Sequence, residues 1–161
     1  MSTKPRTPTH SPEGAAATEL ILALFRSNGL LIAAGDRLSK PIGLSSARWQ
    51  VLGALAEGPA TVAEAARRMG LRRQSVQRLV DALAQDGLVQ LHPNPRHQRA
   101  MLVALSTKGE RTYGQIDQLQ TAWINDLSQG LGRRELQAAT ALLLRFQQRL
   151  QTAEDDNAEE G

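Results

Sequence analysis

The sequence contains no cysteine and no long apolar run, and both absences exclude classes of protein. Without cysteine the chain cannot form disulfides, thiolate zinc sites or a cysteine-based peroxide sensor. The longest stretches without a charged residue, such as 27–35, span about nine residues, whereas a membrane-spanning helix needs about 20 apolar residues. The N-terminal segment also lacks the apolar core of a signal peptide. We therefore expect a soluble, cytoplasmic protein with no membrane partner.

Patterns typical of enzymes and metal sites are absent from the sequence as well. It has no Ser-His-Asp order, no phosphate-cradling glycine loop and no paired carboxylates in an apolar setting. Of the histidines His10, His92 and His97, only the last two are close, and no cysteine or glutamate joins them at a ligand spacing. We expect a protein that is not an enzyme and that uses no metal or cofactor.

The charged residues are distributed asymmetrically along the chain. Five of the 16 acidic residues lie in the segment 154–160, so residues 1–152 carry 11 acidic residues against 19 lysines and arginines, a net charge of +8. This charge suits a polyanionic partner, although a merely solvated basic surface is the alternative. The composition of the two ends predicts a disordered basic leader over 1–13 and a disordered acidic tail over 153–161.

The segment 61–88 predicts two short helices separated by a glycine. Thr61 and Glu64 have the spacing of a capping box, which predicts a helix start at Thr61. Gly70 can adopt the left-handed conformation that ends this helix. Apolar residues then recur with a helical period, which completes the pattern of a helix-turn-helix: Leu71, Val76, Leu79, Val80 and Leu83.

The second helix of this motif has a face of arginine and amide side chains outside its apolar stripe. These side-chain types contact base edges and phosphates in a DNA major groove, although a solvated helix face is the alternative. We expect Arg72 and Ser75 to contact the DNA backbone at the helix N-terminus. The residues expected to contact bases or nearby phosphates are Arg73, Gln74, Gln77 and Arg78.

Two short β-compatible runs, 88–92 and 100–105, flank a polar segment and predict a hairpin with a basic tip. Because a lone hairpin is only marginally stable, it must pack on the preceding helices and complete a winged helix over 44–105. This span has eight arginines, no lysine and four acidic residues, a net charge of +4. The alternative is a hairpin tip that makes no contact with DNA. Otherwise its basic residues can enter a narrow minor groove: Arg96, His97 and Arg99.

Long amphipathic helices are predicted on both sides of the winged helix, over 14–43 and 106–152. Packing these two ends together, within the chain and across a homodimer, is the simplest way to cover their apolar stripes, and core packing within one monomer is the alternative. The expected fold is therefore mainly α, a winged helix-turn-helix with a small two-stranded wing flanked by N- and C-terminal dimerisation helices. The expected dimerisation residues are Leu20, Leu24, Leu136, Leu142, Leu143, Phe146 and Leu150.

Taken in order, the motifs of this chain resemble those of the MarR-type transcriptional regulators from about residue 15 to 152. The resemblance depends on the series as a whole, because helix-turn-helix segments are common. The segments that carry it are Leu44-Ser-Ser-Ala-Arg-Trp-Gln-Val-Leu, Thr61-Val-Ala-Glu-Ala-Ala-Arg-Arg-Met-Gly-Leu, Ser75-Val-Gln-Arg-Leu-Val-Asp-Ala-Leu, Gly87-Leu-Val, Asn94-Pro-Arg-His-Gln-Arg-Ala and Leu105-Ser-Thr-Lys-Gly.

The resemblance implies a homodimeric regulator, usually a repressor, that inserts its recognition helix into the major groove and its wing tip into the minor groove. Two such helices fit a palindromic operator with half-sites about one turn, ~10 bp, apart. By the same resemblance, Trp49 and Trp123 border a cleft for a small aromatic or anionic effector, with Arg48 as its counter-charge, although core packing is the alternative for both tryptophans. A different function, a winged-helix module that binds protein through its basic face, also fits the sequence.

Two departures from the family pattern affect the expected DNA contacts. Arg72 stands where these proteins usually have a serine or threonine opening the recognition helix. Asn94, His97 and Gln98 stand in a wing that is usually richer in aspartate and arginine. Without a wing aspartate to pair with them, we expect Arg96 and Arg99 to be less fixed.

Overall fold

The computed structural model describes residues 9–96 and 99–159, the last six of these by their backbone only. This part of the chain is mainly helical, with one two-stranded sheet, and it confirms the expected winged-helix fold class. The elements are α1 (Pro12–Ser39), a 3-10 turn (Lys40–Ile42), α2 (Ser46–Ala56), α3 (Val62–Met69), α4 (Arg73–Gln85), β1 (Val89–His92), β2 (Leu102–Leu105), α5 (Thr107–Leu127) and α6 (Arg133–Glu159).

The helices at the two ends extend past the predicted domain boundaries at residues 14 and 152. The Ser11 hydroxyl accepts a hydrogen bond from the Gly14 backbone at 3.0 Å, so α1 begins at Pro12, where a capping serine followed by proline is typical of a helix start. Helix α6 continues to Glu159, into the predicted acidic tail. The sequence has no glycine or proline between Arg133 and Glu160 to end the helix. The rest of the predicted leader and tail, 1–8 and 160–161, lies outside the described residues.

The core of the winged helix lies between α2, α3, α4 and the sheet. Side chains from all four surround it, including the fully buried Leu52 and Val51 of α2, Val76 and Leu83 of α4, and Val103 of β2. The predicted apolar stripe of α4 is therefore correct in its helical part. Leu71 is the exception, because it lies in the turn before α4 and remains exposed.

The wing is fixed to the helices by backbone hydrogen bonds as well as by packing. Strands β1 and β2 are antiparallel, with Val89 opposite Leu105 and His92 opposite Leu102. Ala60, just before α3, exchanges two backbone hydrogen bonds with Val103, at 3.0 and 2.8 Å. This extra bridge ties β2 to the start of the helix-turn-helix, so the hairpin packs on the helices as expected.

The start of α5 is held against the end of α4 by a serine and a glycine. The buried Ser106 hydroxyl donates to the Gly87 carbonyl at 2.6 Å and accepts from the Gly109 backbone N–H at 3.0 Å. The Ser106 backbone N–H donates to the Leu88 carbonyl at 3.0 Å. A Cβ atom at Gly109 would lie 2.0 Å from that carbonyl oxygen. Only glycine therefore fits at position 109.

A second close approach fixes α1 on the N-terminus of α2. The Asp36 carboxylate accepts a hydrogen bond from the Ser46 backbone N–H at 2.6 Å, which satisfies a donor that the helix itself leaves unpaired. At Gly35, a Cβ atom would lie 2.6 Å from the Ser46 hydroxyl oxygen. The absence of a side chain at Gly35 thus permits the contact that positions Asp36.

The described chain divides into two compact units with a boundary at residues 120 and 121. The first unit contains the winged helix and α1, and the second contains the end of α5 and all of α6. None of the described side chains of α6 is fully buried. The second unit therefore presents apolar side chains that the unit itself does not cover.

Helix α1 also presents an uncovered apolar surface. Among the described residues, one helical stretch, Pro12–Ile42, is long and apolar enough to cross a membrane by length and composition alone, with a mean hydropathy of 1.4 over its most apolar 18 residues. Uncharged runs do not reveal this stretch because Glu19 and Arg26 interrupt its apolar residues. The most exposed of its large apolar side chains are Phe25, at 72%, and Leu30, at 73%.

Candidate nucleic-acid interface

The helix-turn-helix is built by local signals that the sequence displays. The Thr61 side chain accepts from the Glu64 backbone N–H at 3.2 Å, and the Glu64 carboxylate accepts from the Thr61 backbone N–H at 2.7 Å, which completes the predicted capping box. Gly70 has a φ of +62° and ends α3. These signals set where α3 begins and ends, and so where the turn before α4 lies.

The hydrogen bonds of the capping box also affect the protonation of Glu64. Hydrogen bonds from the Thr61 backbone and side chain lower the pKa of Glu64 from its ordinary value of 4.5. Because this pKa is lower in the folded than in the unfolded state, the Glu64 contribution to the free energy of unfolding is complete above about pH 4.5. It is lost as the pH falls through the lowered pKa.

We therefore expect Glu64→Gln to make the protein less sensitive to acid. Glutamine can still close a capping box, so the fold is retained, but it does not titrate. The urea midpoint of unfolding, measured from neutral pH down to about pH 3, should fall less for the variant than for the wild type. Identical pH profiles for the two proteins would mean that Glu64 contributes nothing to acid unfolding.

Helix α4 buries its apolar side and leaves the predicted polar side facing solvent. Val76, Val80 and Leu83 are fully buried, while Gln77 is half-buried. The arrangement agrees with the face predicted from the sequence, since the remaining predicted contact residues are exposed: Arg72, Arg73, Gln74, Ser75 and Arg78.

The departure at Arg72 changes how the recognition helix begins. Arg72 occupies the N-cap position with an extended backbone, and none of the described side chains caps the helix there. Helices leave their first N–H groups unpaired, and these groups favour anions. The start of α4 therefore combines unpaired backbone donors with the guanidinium groups of Arg72 and Arg73.

The described residues that lead into the wing tip form a turn at Asn94. The Asn94 side-chain oxygen accepts a hydrogen bond from the Arg96 backbone N–H at 2.9 Å, a turn that asparagine forms readily. Arg96 and Arg99 are exposed, and neither pairs with a carboxylate in the part of the chain that the structure describes. Their charges are available to a ligand. His97, the third predicted tip residue, lies outside the described residues.

Two of the three residues predicted to line an effector cleft have partners within the first unit. Arg48 forms an ion pair with Asp86, at the end of α4, and its Nε atom is buried without a hydrogen-bond partner among the described atoms. Trp49 is half-buried and packs against the winged-helix core. Trp123 is half-buried in the second unit. The Arg48 charge is therefore already compensated by Asp86, and an effector role for these residues stays a prediction.

The predicted dimerisation residues are all partly or largely accessible. Leu136 and Leu150 are exposed, the latter at 64%. Leu20, Leu24, Leu142, Leu143 and Phe146 are half-buried. Phe25 and Leu30 were not among the predicted dimerisation residues, although they are more exposed than any of these. The sequence did indicate them, because the apolar residues of α1 extend around the helix beyond a single stripe.

Asp81, on the recognition helix, was not among the predicted site residues. Its carboxylate accepts a hydrogen bond from the Gln77 side-chain nitrogen at 2.8 Å. The spacing of four residues between a glutamine and an aspartate is a known helix pairing and was visible in the sequence. No group of three or more histidine or acidic residues among the described positions has a geometry that could hold a metal ion.

Comparison with known proteins agrees with this architecture. The MarR family model matches residues 42–100, which contain the helix-turn-helix and most of the wing. An uncharacterised protein of Mycobacterium tuberculosis is 34% identical over 127 residues, covering 79% of this chain and 89% of that protein.

Two solved structures are similar in fold. The M. tuberculosis regulator MOSR, solved in complex with DNA, has a TM-score of 0.69 at 21% identity, covering 81% of this chain and 96% of its own. CouR of Rhodococcus jostii RHA1, solved with p-coumaroyl-CoA, has a TM-score of 0.72 at 23% identity, covering 79% and 90%.

The fold and the exposed basic helix define a winged-helix protein of the DNA-binding regulator class. The chain belongs to the MarR family of transcriptional regulators.

Proposed function

We propose that this protein is a cytoplasmic homodimer that binds a palindromic DNA operator and regulates, usually by repression, the genes beside it. The observation that carries this proposal is the exposed face of α4, where arginine and amide side chains lie outside the core. Such side chains bind phosphates and base edges in the major groove. We assign the protein no catalytic role.

The distribution of charge along the winged helix supports DNA as the partner. Guanidinium groups lie on α4 and at the wing tip, where Arg78, Arg96 and Arg99 have no carboxylate partner among the described residues. By contrast, Arg48 and Arg68 are paired with Asp86 and Glu57. Arginines without a carboxylate partner among the described residues thus lie on the elements that winged helices apply to DNA, although others, such as Arg67 and Arg134, lie elsewhere.

The exposed apolar side chains of α1 and α6 support dimerisation. Large apolar groups exposed to this extent mark a surface that is covered in the assembled protein. A second copy of the chain is the partner that would also supply a second recognition helix for the other half-site. Helix α1 is long and apolar enough to cross a membrane by length and composition alone. Its apolar surface would equally be covered by a second copy of the chain.

An effector would act by changing the separation of the two recognition helices. CouR, which shares the fold, was solved with an aromatic acyl thioester bound. For this chain we propose a small aromatic or anionic effector. Because the Arg48 guanidinium is paired with Asp86, an anionic effector would have to compete with that carboxylate.

The direct test is binding of the full-length protein to duplexes selected from a randomised library. We expect a palindromic consensus with half-sites about 10 bp apart and an affinity that falls steeply with salt, as counterion release requires. A protein that selects no duplex even at low salt would instead favour the protein-interaction function.

Within this function, Arg78→Ala should weaken operator binding by about 1 to 3 kcal/mol if the guanidinium contacts a guanine. The matched control is Arg134→Ala, which removes an exposed arginine from the start of α6. Binding is measured by fluorescence anisotropy at one fixed salt concentration. An equal loss for both variants would point to net charge rather than to a contact made by Arg78.

A further inference from the structure

One side chain on the recognition face is held in a defined orientation. The Gln77 side-chain nitrogen, Nε2, donates to Oδ1 of Asp81 at 2.8 Å. The orientation of the Gln77 amide follows from chemistry, because an ionised carboxylate only accepts hydrogen bonds and must face the amide nitrogen. One of the two Nε2 hydrogens is therefore engaged, and the carbonyl oxygen of the amide points away from Asp81.

Asp81 is the only acidic residue in the sequence of α4, and it lies one helical turn after Gln77 and Arg78, at the C-terminal edge of the proposed DNA-binding face. It is four residues after Gln77, three after Arg78 and seven after Gln74, so all of these share one side of the helix. Asp81 is exposed and forms no ion pair with another described residue. A carboxylate here repels phosphates and lowers affinity for every DNA sequence. Its position is more easily explained by a role in choosing among sequences.

We propose that Asp81 is a positioning residue that fixes the Gln77 amide so that it selects adenine over guanine at one position of each half-site. This inference rests on the proposed DNA-binding function. A free glutamine amide can contact adenine with its oxygen and one N–H, or guanine with both N–H groups, which donate to N7 and O6. Asp81 removes the second possibility because it occupies one of those two hydrogens.

The amide held by Asp81 retains one carbonyl acceptor and one N–H donor. This pair matches the N6 amine and the N7 acceptor of adenine in the major groove. Opposite guanine, the amide oxygen would face the O6 acceptor, and the nearby carboxylate would add further repulsion. Cytosine offers its N4 amine to the amide oxygen but no matching acceptor, so we expect it to rank below adenine and above guanine.

The test compares base preferences of the full-length wild type and four variants selected on the same randomised duplex library. The variants are Gln77→Ala, Asp81→Ala, Asp81→Asn and the double variant Gln77→Ala/Asp81→Ala. Gln77→Ala identifies the base that Gln77 contacts, as the half-site position at which this variant loses its base preference. At that position the wild type should favour adenine over guanine by about tenfold or more. Asp81→Ala should admit guanine there, because the amide can then turn over.

The variant Asp81→Asn distinguishes the effect of the Gln77 amide orientation from the effect of the negative charge of Asp81. Asparagine keeps an oxygen that can accept from Gln77, so this variant should retain most of the preference for adenine. Both Asp81 variants should bind unselected duplex more tightly than the wild type does, since both remove the same negative charge. This shared gain also shows that both variants are folded.

Three outcomes would overturn the positioning role while leaving the DNA-binding function intact. In the first, Asp81→Ala has the same base profile as the wild type. In the second, Asp81→Asn loses as much of the preference for adenine as Asp81→Ala does. In the third, Asp81→Ala changes the base profile even when Gln77 is replaced by alanine. The last outcome would mean that Asp81 contacts the base itself. A wild type that selects no duplex overturns both the DNA-binding function and this inference.

Discussion

Replacing Gly109 with alanine is expected to lower the free energy of unfolding by about 3 kcal/mol, near the upper end of the usual cost of overpacking. The new Cβ atom would lie 2.0 Å from the Leu88 carbonyl oxygen, which is backbone and cannot rotate away. The same oxygen accepts from the Ser106 N–H, so moving it also disturbs the hydrogen bonds that join α4, the wing and α5. In a domain of this size the melting temperature should fall by roughly 10 °C.

Gly114→Ala is the matched control for this prediction. Gly114 lies on the same helix, and a Cβ atom there would meet no atom within 4 Å. Alanine is the better helix former, so this variant should be equal to the wild type or more stable by about 0.5–1 kcal/mol. Thermal unfolding followed by circular dichroism compares the three proteins. Equal melting temperatures for the two variants would contradict the close approach at Gly109.

The combined substitution Phe25→Glu/Leu150→Glu is expected to convert the proposed dimer into a folded monomer. Both side chains are largely exposed in the single chain, at 72% and 64%, so its own fold does not depend on them. In the dimer each charge would be buried in an apolar interface, which is strongly unfavourable. Light scattering should then give the mass of one 17.5 kDa chain.

Loss of the dimer should also weaken operator binding by a factor of about 10² to 10⁴, because the second half-site is no longer bound at a high effective concentration. The control, Ser27→Glu/Gln147→Glu, adds the same two charges at exposed polar positions of α1 and α6. It should remain dimeric and keep most of its affinity. A monomeric Phe25→Glu/Leu150→Glu variant that binds the full operator as tightly as the wild type would refute the need for two recognition helices on one site.

The sequence predicted the recognition helix well because its signals are local. The capping box of Thr61 and Glu64, the left-handed Gly70 and the helical period of Val76 to Leu83 each act within a few residues. The exposure of Arg73 and Arg78 follows from the same period. Leu71 was assigned wrongly to the buried stripe because a residue in the turn does not follow the helical period.

The chemistry of individual side chains was harder to predict than the elements that carry them. The ion pair of Arg48 with Asp86, 38 residues along the chain, was not predicted from the sequence. The pairing of Gln77 with Asp81 could have been predicted from its spacing, whereas its effect on base selection depends on Asp81 lying on the exposed face. The helical end of the chain was missed because acidic composition alone does not break a helix.

The order of the helices and strands, the start and end of the helix-turn-helix and the basic face of α4 follow from the sequence, because caps, glycines and periodicity act between neighbouring residues. The contacts between distant segments follow from the folded structure instead: the bridge from Ala60 to Val103, the approach of Gly109 to Leu88 and the ion pair of Arg48 with Asp86. Such contacts depend on how complete elements pack, and packing is set by the shape of the whole core rather than by any short stretch of sequence.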